Sequence, residues 1–389
     1  MKIKDINLFF EKGLNCKKGK QGNILFIPSG AVFPEKIKED KCHKIFDTEK
    51  ISKDKLIRKN DILFNSGGVG TLGRVGFYNE DIWSGDAVCD PFVFIIRNND
   101  IKLYSKYLFY YFQTDQAKKN IVKYTVGSTG ITSIRKKDIL NFSINLPAIE
   151  QQKTIVQILD TANNLRQKRK EQLTLLDDYL KSLFLEMFGD PIINQKNWRK
   201  KFLKEITNLI TDGKHGDCRD DDNSGYYFIS AKDIHDGIID YSQARQILKK
   251  DFEEVHRRTN LAIGDLVMVN TGATIGKTAI VNSNKKTDST TFQKSVAIIK
   301  PKINKLASIY LQYVFIMRIN AFARISSGSA QKNLLLSQMR DFKIPLPPVK
   351  LQNKFASIVE QVEKIKRKMR DSLNEMDNHF NALMQRYFE

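Results

Sequence analysis

The chain has 389 residues, a formal net charge of +20 and a pI near 9.6, which predicts two or three domains with their own cores and a polyanionic partner. No run approaches the roughly 18 apolar residues of a membrane span, and charges interrupt the first residues, so neither a membrane nor a secretory role is expected and a cytoplasmic location is. Cys16, Cys42, Cys89 and Cys218 are scattered without a CxxC, and no HxH or HExxH occurs among the histidines, which argues against a disulfide framework and a metal site.

In chain order, Asp61–Asn65 is a candidate strand, rich in apolar residues and bounded by turn formers. Gly68-Val69-Gly70-Thr71-Leu72-Gly73 then spells GxGxxG, but a dinucleotide fold requires a helix next. Arg74–Asn79 instead has an extended, turn-like pattern, which predicts strand–turn–strand. Cys89-Asp90-Pro91-Phe92 is one proline short of the (N/D)-P-P-(F/Y) tetrad of adenine methyltransferases, and no glycine-rich S-adenosylmethionine loop precedes it. Pro91–Arg97 is a further strand, Tyr104–Phe112 an aromatic-rich helix and Phe142–Leu146 a last strand before Pro147.

From about Ile149 to Phe188, apolar residues fall at steps of three and four, including Ile155, Leu159, Leu165, Leu176, Leu180, Leu183 and Met187. That spacing predicts a long helix with a coiled-coil seam. Arg166, Lys168, Arg169 and Lys170 cluster near its middle. Asp190–Lys200 is a linker.

The second half repeats the first. Ile3-Lys4-Asp5-Ile6 returns as Leu203-Lys204-Glu205-Ile206, a spacing of 200; Thr71-Leu72-Gly73-Arg74 returns as Thr274-Ile275-Gly276-Lys277, at 203. Leu266–Asn270, Ser295–Lys300 and Phe342–Leu346 are predicted strands, and Ala307–Met317 a helix. Gly272–Thr278 resembles a P-loop but is one residue short between its glycines, and the two copies share no nucleotide motif in this slot. Pro347-Pro348 precedes a second long helix, Val349–Phe388, with Ile365, Met376, Phe380, Leu383 and Tyr387 on its seam and a cluster of Lys364, Lys366, Arg367, Lys368 and Arg370. A period near 200 is a domain duplication. The expected fold is α+β: two tandem globular α+β domains, each followed by a long helix, the helices pairing as an antiparallel coiled coil with pseudo-two-fold symmetry. The expected boundaries are 1–148, 149–190, 191–347 and 348–389.

Polar, glycine-rich loops are where a nucleic-acid reader would sit, since Ser, Thr, Asn, Gln, Lys and Arg contact both phosphates and base edges. The candidates are Ser66, Gly67, Thr71, Arg74, Ser128, Thr129, Arg135 and Lys136 in the first half. In the second they are Asp212, Lys214, His215, Lys232, Thr271, Thr274, Lys277, Ser327, Ser329, Gln331 and Lys332.

Leu146-Pro147-Ala148-Ile149-Glu150-Gln151-Gln152-Lys153, followed by Ile155-Val156, Leu159-Asp160 and Leu183–Pro191, resembles the conserved region of type I restriction–modification specificity subunits. Thr211-Asp212-Gly213-Lys214-His215-Gly216, Arg257-Arg258, Gly264-Asp265-Leu266 and Thr271-Gly272-x-Thr274-x-Gly276-Lys277 are similar to their target-recognition domains. The resemblance implies two target-recognition domains that each read half of a split, asymmetric double-stranded DNA target. It implies helices that act as spacer and as docking site for two methyltransferase subunits, restriction subunits when present, and no catalysis or cofactor in this chain. S-adenosylmethionine would belong to the methyltransferase, ATP and magnesium to the restriction subunit. Partner or coiled-coil positions would be Glu150, Gln152, Leu165, Leu176, Leu180, Leu183, Phe184, Met187, Gln352, Ile365, Met376, Phe380, Leu383 and Tyr387. Glu150 stands where the second copy has Lys350, so the two helix starts are expected to bind partners unequally. The alternatives are an enzyme using nucleotide or S-adenosylmethionine at the glycine loops, and a coiled-coil adaptor without DNA specificity.

Overall fold

The computed structural model describes residues 1–16, 22–46, 51–79, 83–126, 132–235, 237–282, 286–325 and 333–388, for 320–325 the backbone alone. The chain forms two compact units: Met1–Glu171 with Arg370–Glu389, and Gln172–Met369.

In the first unit, β1 (Leu8–Lys12), β2 (Ile24–Ile27), β3 (His43–Ile45), β4 (Ile62–Asn65), β5 (Val75–Phe77), β6 (Ala87–Cys89) and β7 (Val93–Asn98) make two sheets. One has the order β1-β7-β4-β5 and is antiparallel; the other has the order β3-β2-β6, with β2 and β6 parallel. β4, Ile-Leu-Phe-Asn, is buried along its whole length, as a central strand covered on both faces must be. Helices α1 (Ser105–Tyr111), α2 (Asp115–Tyr124) and α3 (Lys136–Ile139) follow, then α4 (Ile149–Phe188). The predicted strand over Phe142–Leu146 does not form; Ser143 makes one bridge to Lys2, and Ile144 N–H donates to Met1 O at 2.9 Å.

The second unit repeats this plan. It contains β8 (Lys200–Phe202), α5 (Leu203–Ile206), β9 (Thr207–Asp212), β10 (Tyr227–Ile229), β11 (Ile234–His235), β12 (Ile238–Ile239), β13 (Arg245–Gln246), α6 (Lys249–Thr259), β14 (Leu266–Val269), β15 (Thr278–Ile280), β16 (Thr290–Phe292) and β17 (Val296–Pro301). Then come α7 (Ser308–Ile325), α8 (Leu336–Arg340), β18 (Lys343–Pro345) and α9 (Val349–Phe388). The sheets β15-β14-β17-β9 and β13-β10-β16 match those of the first unit, parallel pair included. Here the last strand does form, as β18 on β8. Where α7 is continuous beyond the predicted Met317, the first copy breaks into α1 and α2, because Thr114 caps α2 by accepting from Ala117 N–H at 3.1 Å.

α4 and α9 are each unbroken over 40 residues and run antiparallel within each unit. In the first unit, Phe380, Met384 and Phe388 from the end of α9 join a core of Tyr107, Tyr110, Tyr111, Ile155 and Leu159. The Phe388 ring lies 4.7 Å from Tyr107 and that of Phe380 6.3 Å from Tyr110. In the second unit, Leu180, Phe184 and Phe188 from the end of α4 join Tyr310, Tyr313, Phe355 and Val359; Phe188 is 4.8 Å from Tyr310 and Phe184 5.6 Å from Phe355. One mid-helix cation of each helix is used in the pairing itself. Arg166 Nε donates to Asp377 at 2.5 Å, and Lys366, 4% exposed, donates to Asp177 at 2.6 Å. These positions correspond at a spacing of 200.

Gln152 and Gln352 are placed differently from the expectation that they face a partner. Both are fully buried. Gln152 Oε1 accepts from Tyr104 N–H at 2.9 Å, and its Nε2 donates to Lys102 O and Pro147 O at 2.7 and 2.8 Å. Gln352 repeats the pattern with Ala307 N–H, Lys305 O and Pro347 O at 2.8, 3.0 and 2.8 Å. Each glutamine fastens the first turn of a long helix to its own globular part. Each buried group orphaned by truncation costs roughly 1–3 kcal/mol. Gln152→Leu or Gln352→Leu is therefore expected to lower stability by about 2–4 kcal/mol in urea unfolding; a loss under about 0.5 kcal/mol, the usual range for a surface change, would contradict this.

Candidate nucleic-acid interface

The β4–β5 and β14–β15 turns occupy the same place in the two units. The first keeps Gly68, Gly70 and Gly73 at φ of 103°, 69° and 77°, and the second Gly272 and Gly276 at 92° and 93°. These are left-handed values that favour glycine. The predicted strand–turn–strand is present, with β5 where a dinucleotide fold would have a helix. A second segment closes on each turn: Gly67 bridges Ser133 and Thr271 bridges Asn333. Ile134 N–H donates to Ser66 O and Leu334 N–H to Asn270 O, both at 2.8 Å. In each half the described end of the second polar loop thus lies against the glycine turn, as a reading surface needs.

Several candidates turn out to hold these loops rather than face outward. Ser66 is buried and its hydroxyl donates to Phe92 O at 2.9 Å. Gly67 is buried too, and a Cβ there would come within 3.1 Å of the Phe92 ring. Thr71 Oγ1 donates to Gly67 O at 3.0 Å. Asp212 is buried, accepting from Arg258 at 3.0 Å and lying 2.9 Å from His215 Nε2. For Ser66 and Thr71 the physical reason is that a tight glycine turn leaves backbone carbonyls that short hydroxyl side chains satisfy; Gly67 is held by the close approach of Phe92, and Asp212 by its two side-chain partners.

Arg74 is half-buried, donates to Gly70 O and lies 4.7 Å over the Phe33 ring. Arg135 is exposed and paired to Asp138 at 2.7 Å; Lys136 is exposed and reaches Phe10 O at 3.4 Å. Lys277, Lys232 and His215 are exposed, and Thr274 is partly so. Lys214 pairs with Glu254 at 2.5 Å, and Thr271 donates to Asn333 at 3.1 Å. Ser128, Thr129, Ser327, Ser329, Gln331 and Lys332 lie outside the described residues.

Arg258, of the Arg257-Arg258 pair and absent from the sequence-predicted contacts, organises the Thr211–Gly213 segment. Its guanidinium donates to Thr211 Oγ1, Asp212 Oδ1 and Gly213 O at 3.1, 3.0 and 2.6 Å. Gly213 itself has no room for a Cβ, which would sit 1.8 Å from Phe292 O; Gly13 meets Asp90 O in the same way at 2.1 Å. Further along, Arg219 clamps Asp251 of α6 through two guanidinium nitrogens, Nε and Nη2, and its own N–H. Those bonds hold the Asp251 carboxyl down to about 2.

On the helices, Leu176, Leu183, Met187, Leu383 and Tyr387 are half-buried against their unit's core, as seam positions should be. Leu165 and Ile365, expected on the seam, are instead 52% and 51% exposed. Leu165 lies with Ile158, Ala162, Met376 and Leu383 along an open apolar groove of the first unit. Glu150 is exposed and pairs with Lys153 at 2.7 Å. Among the described residues no cluster of His, Cys, Asp and Glu could hold a metal, and no helix is long and apolar enough to cross a membrane.

The family model of the type I restriction modification DNA specificity domain matches residues 15–175 and again 195–375. The chain is 23% identical over 349 residues to the type I restriction enzyme MjaVIII specificity subunit of Methanocaldococcus jannaschii, covering 83% of this chain and 77% of that one. It is 21% identical over 349 residues to the EcoBI specificity subunit of Escherichia coli, covering 82% and 72%. A crystal structure of the type I restriction–modification S subunit from M. genitalium aligns with a TM-score of 0.57 at 14% identity, over 100% of this chain and 95% of that one. That likeness is one of fold.

The Arg219–Asp251 clamp has a sign that can be checked. A depressed carboxyl contributes stability above the unfolded value near 4 and loses it as pH falls through about 2. In Arg219→Ala the Asp251 carboxyl is expected to rise from about 2 by NMR but to stay below the ordinary value, because the N–H of residue 219 still donates to it; a midpoint still near 2 would mean that the guanidinium is not what holds it down.

Proposed function

The chain belongs to the type I restriction–modification DNA specificity domain family, and from that premise we propose how its parts divide the work. It recognises a specific DNA sequence within a type I restriction–modification complex. Each globular part reads one half of a bipartite, asymmetric target, because the two parts share a scaffold but differ in their loops. The observation that carries this is the duplicated turn: Gly68–Arg74 and Gly272–Lys277 both end in a cation, and both are closed by a second polar segment. Arg74, Lys277, Lys232, His215, Arg135 and Lys136 are the side chains proposed to meet DNA. Ser66, Gly67, Thr71 and Asp212 set the shape of the loops.

The helices are proposed to serve as spacer and as docking face, since an unbroken 40-residue helix is about 60 Å long. Two methyltransferase subunits are proposed to dock, one on each unit. Support comes from Leu165 and Ile365, which correspond at a spacing of 200 and are equally exposed. Catalysis is assigned to the partners: methyl transfer from S-adenosylmethionine to one, and ATP- and magnesium-dependent cleavage to a restriction subunit where one is present. An enzyme reading loses its main support once both glycine turns lead into strands, and an adaptor reading leaves the duplicated turns unused.

Two outcomes test this. The chain assembled with its methyltransferase should retard a duplex carrying the target, identified by sequencing the methylome of a host expressing both, at least ~10³-fold more tightly than random DNA; equal retardation would end the specificity reading. Leu165→Glu and Ile365→Glu should each remove one methyltransferase copy by native mass spectrometry, and together both; two copies retained by the double variant would move the docking face elsewhere.

A further inference from the structure

One aromatic ring in the first unit collects three cations. Lys38 Nζ lies 4.3 Å from the Phe33 centroid, the Arg74 guanidinium 4.7 Å and Lys41 Nζ 5.1 Å. Glu35, Glu39 and Asp40 are exposed in the same segment, yet among the described residues no carboxylate makes an ion pair with any of the three cations. Two other cations that lie over rings in the first unit are matched: Lys106, over Phe77, with Asp160, and Arg97, over Phe9, with Asp61.

The cluster is built rather than incidental. Lys38 N–H donates to Ala31 O at 2.9 Å, and Lys41 N–H to Lys38 O at 3.1 Å, so a short turn of 3-10 helix over Glu39–Lys41 sets both lysines beside Phe33. Arg74 reaches the same ring from the end of the glycine turn, where it donates to Gly70 O. A cation–π contact at an exposed site gives only about 0.5–1 kcal/mol. Three like charges crowded on one ring repel each other, and an anion in their midst would relieve that repulsion. The second unit has the opposite arrangement, with one cation, Lys286, over the two rings of Tyr227 and Tyr241 at 4.6 and 5.3 Å.

We propose that Lys38, Lys41 and Arg74, gathered on Phe33, form a clamp for backbone phosphate of duplex DNA beside the reading turn of the first unit. The clamp rests on the DNA-recognition reading above. It adds affinity without sequence information, and it makes the phosphate grip stronger on one half of the target than on the other. Lys38 and Lys41 are the point charges; Arg74 links the clamp to the turn that reads.

The test is the salt dependence of binding by the complete complex with its methyltransferase, measured on target and random duplexes. Each lost phosphate contact lowers the magnitude of the log–log slope by about 1. The double variant Lys38→Gln/Lys41→Gln is expected to lower it by about 2 and to weaken both duplexes by the same factor. Lys305→Gln, an exposed charge beyond the far end of β17, is expected to leave the slope unchanged. A wild-type slope in the double variant, or a loss confined to the target duplex, would overturn the clamp. Should the wild-type complex itself fail to separate the two duplexes, the specificity reading falls while the slopes still report on phosphate contact.

Discussion

Each globular core is completed by the end of the other copy's helix. Phe380, Met384 and Phe388 enter the first core, Leu180, Phe184 and Phe188 the second. These are large apolar side chains, each contributing roughly 1.5–3 kcal/mol when fully buried. Without them Tyr107 and Tyr110 in one unit, and Tyr310 and Tyr313 in the other, would lose ring contacts and face water. Antiparallel pairing of the helices is therefore a condition for both cores, and the reciprocal pairs Arg166–Asp377 and Lys366–Asp177 fit the same register. A buried lysine contributes little net stability but penalises a slipped register, where its charge would be unmatched.

The loops obey a second division of labour. A tight turn close to DNA must have its own backbone groups satisfied before it can present anything. Ser66, Thr71 and Arg258 bond backbone carbonyls internally, and Asp212 holds the Arg258 guanidinium in place. The buried pairs Asp61–Arg97 and Asp265–Lys300 brace the central strands beneath in both units, and burial raises both carboxyls despite their cationic partners. Such pairs fix geometry more than they stabilise. What is left to face outward is a small set of long, flexible cations whose identity can vary without disturbing the scaffold.

The duplication, the two long helices and the strand–turn–strand nature of the GxGxxG stretch were legible in the sequence. They rest on periodicity and on a repeat, which survive without knowledge of contacts. Residue roles were less legible. Ser66 has the chemistry of a DNA contact and Gln152 that of a partner contact, and only burial shows that their polar atoms are already used. Leu165 and Ile365 fit the seam period, yet over five heptads a straight helix drifts about 20° per heptad from a strict seven-residue repeat, and mid-helix positions rotate outward. Phe33, Lys38 and Lys41 carry no motif, since their convergence depends on a turn that brings separate residues to one ring. The break between α1 and α2 followed from a single capping threonine against an aromatic helix of similar composition.

The interlocked cores also constrain how the chain is made. The first unit holds its last component in residues 370–389, more than 250 residues after Tyr111 in the sequence. At a synthesis rate of about 5–20 residues per second, the Tyr107–Tyr110 surface waits on the order of tens of seconds on the ribosome before α9 can reach it. Contacts of such long separation form late and slowly. Over that interval the nascent first half carries an uncovered aromatic face, and is in the state most exposed to aggregation or to capture by a chaperone.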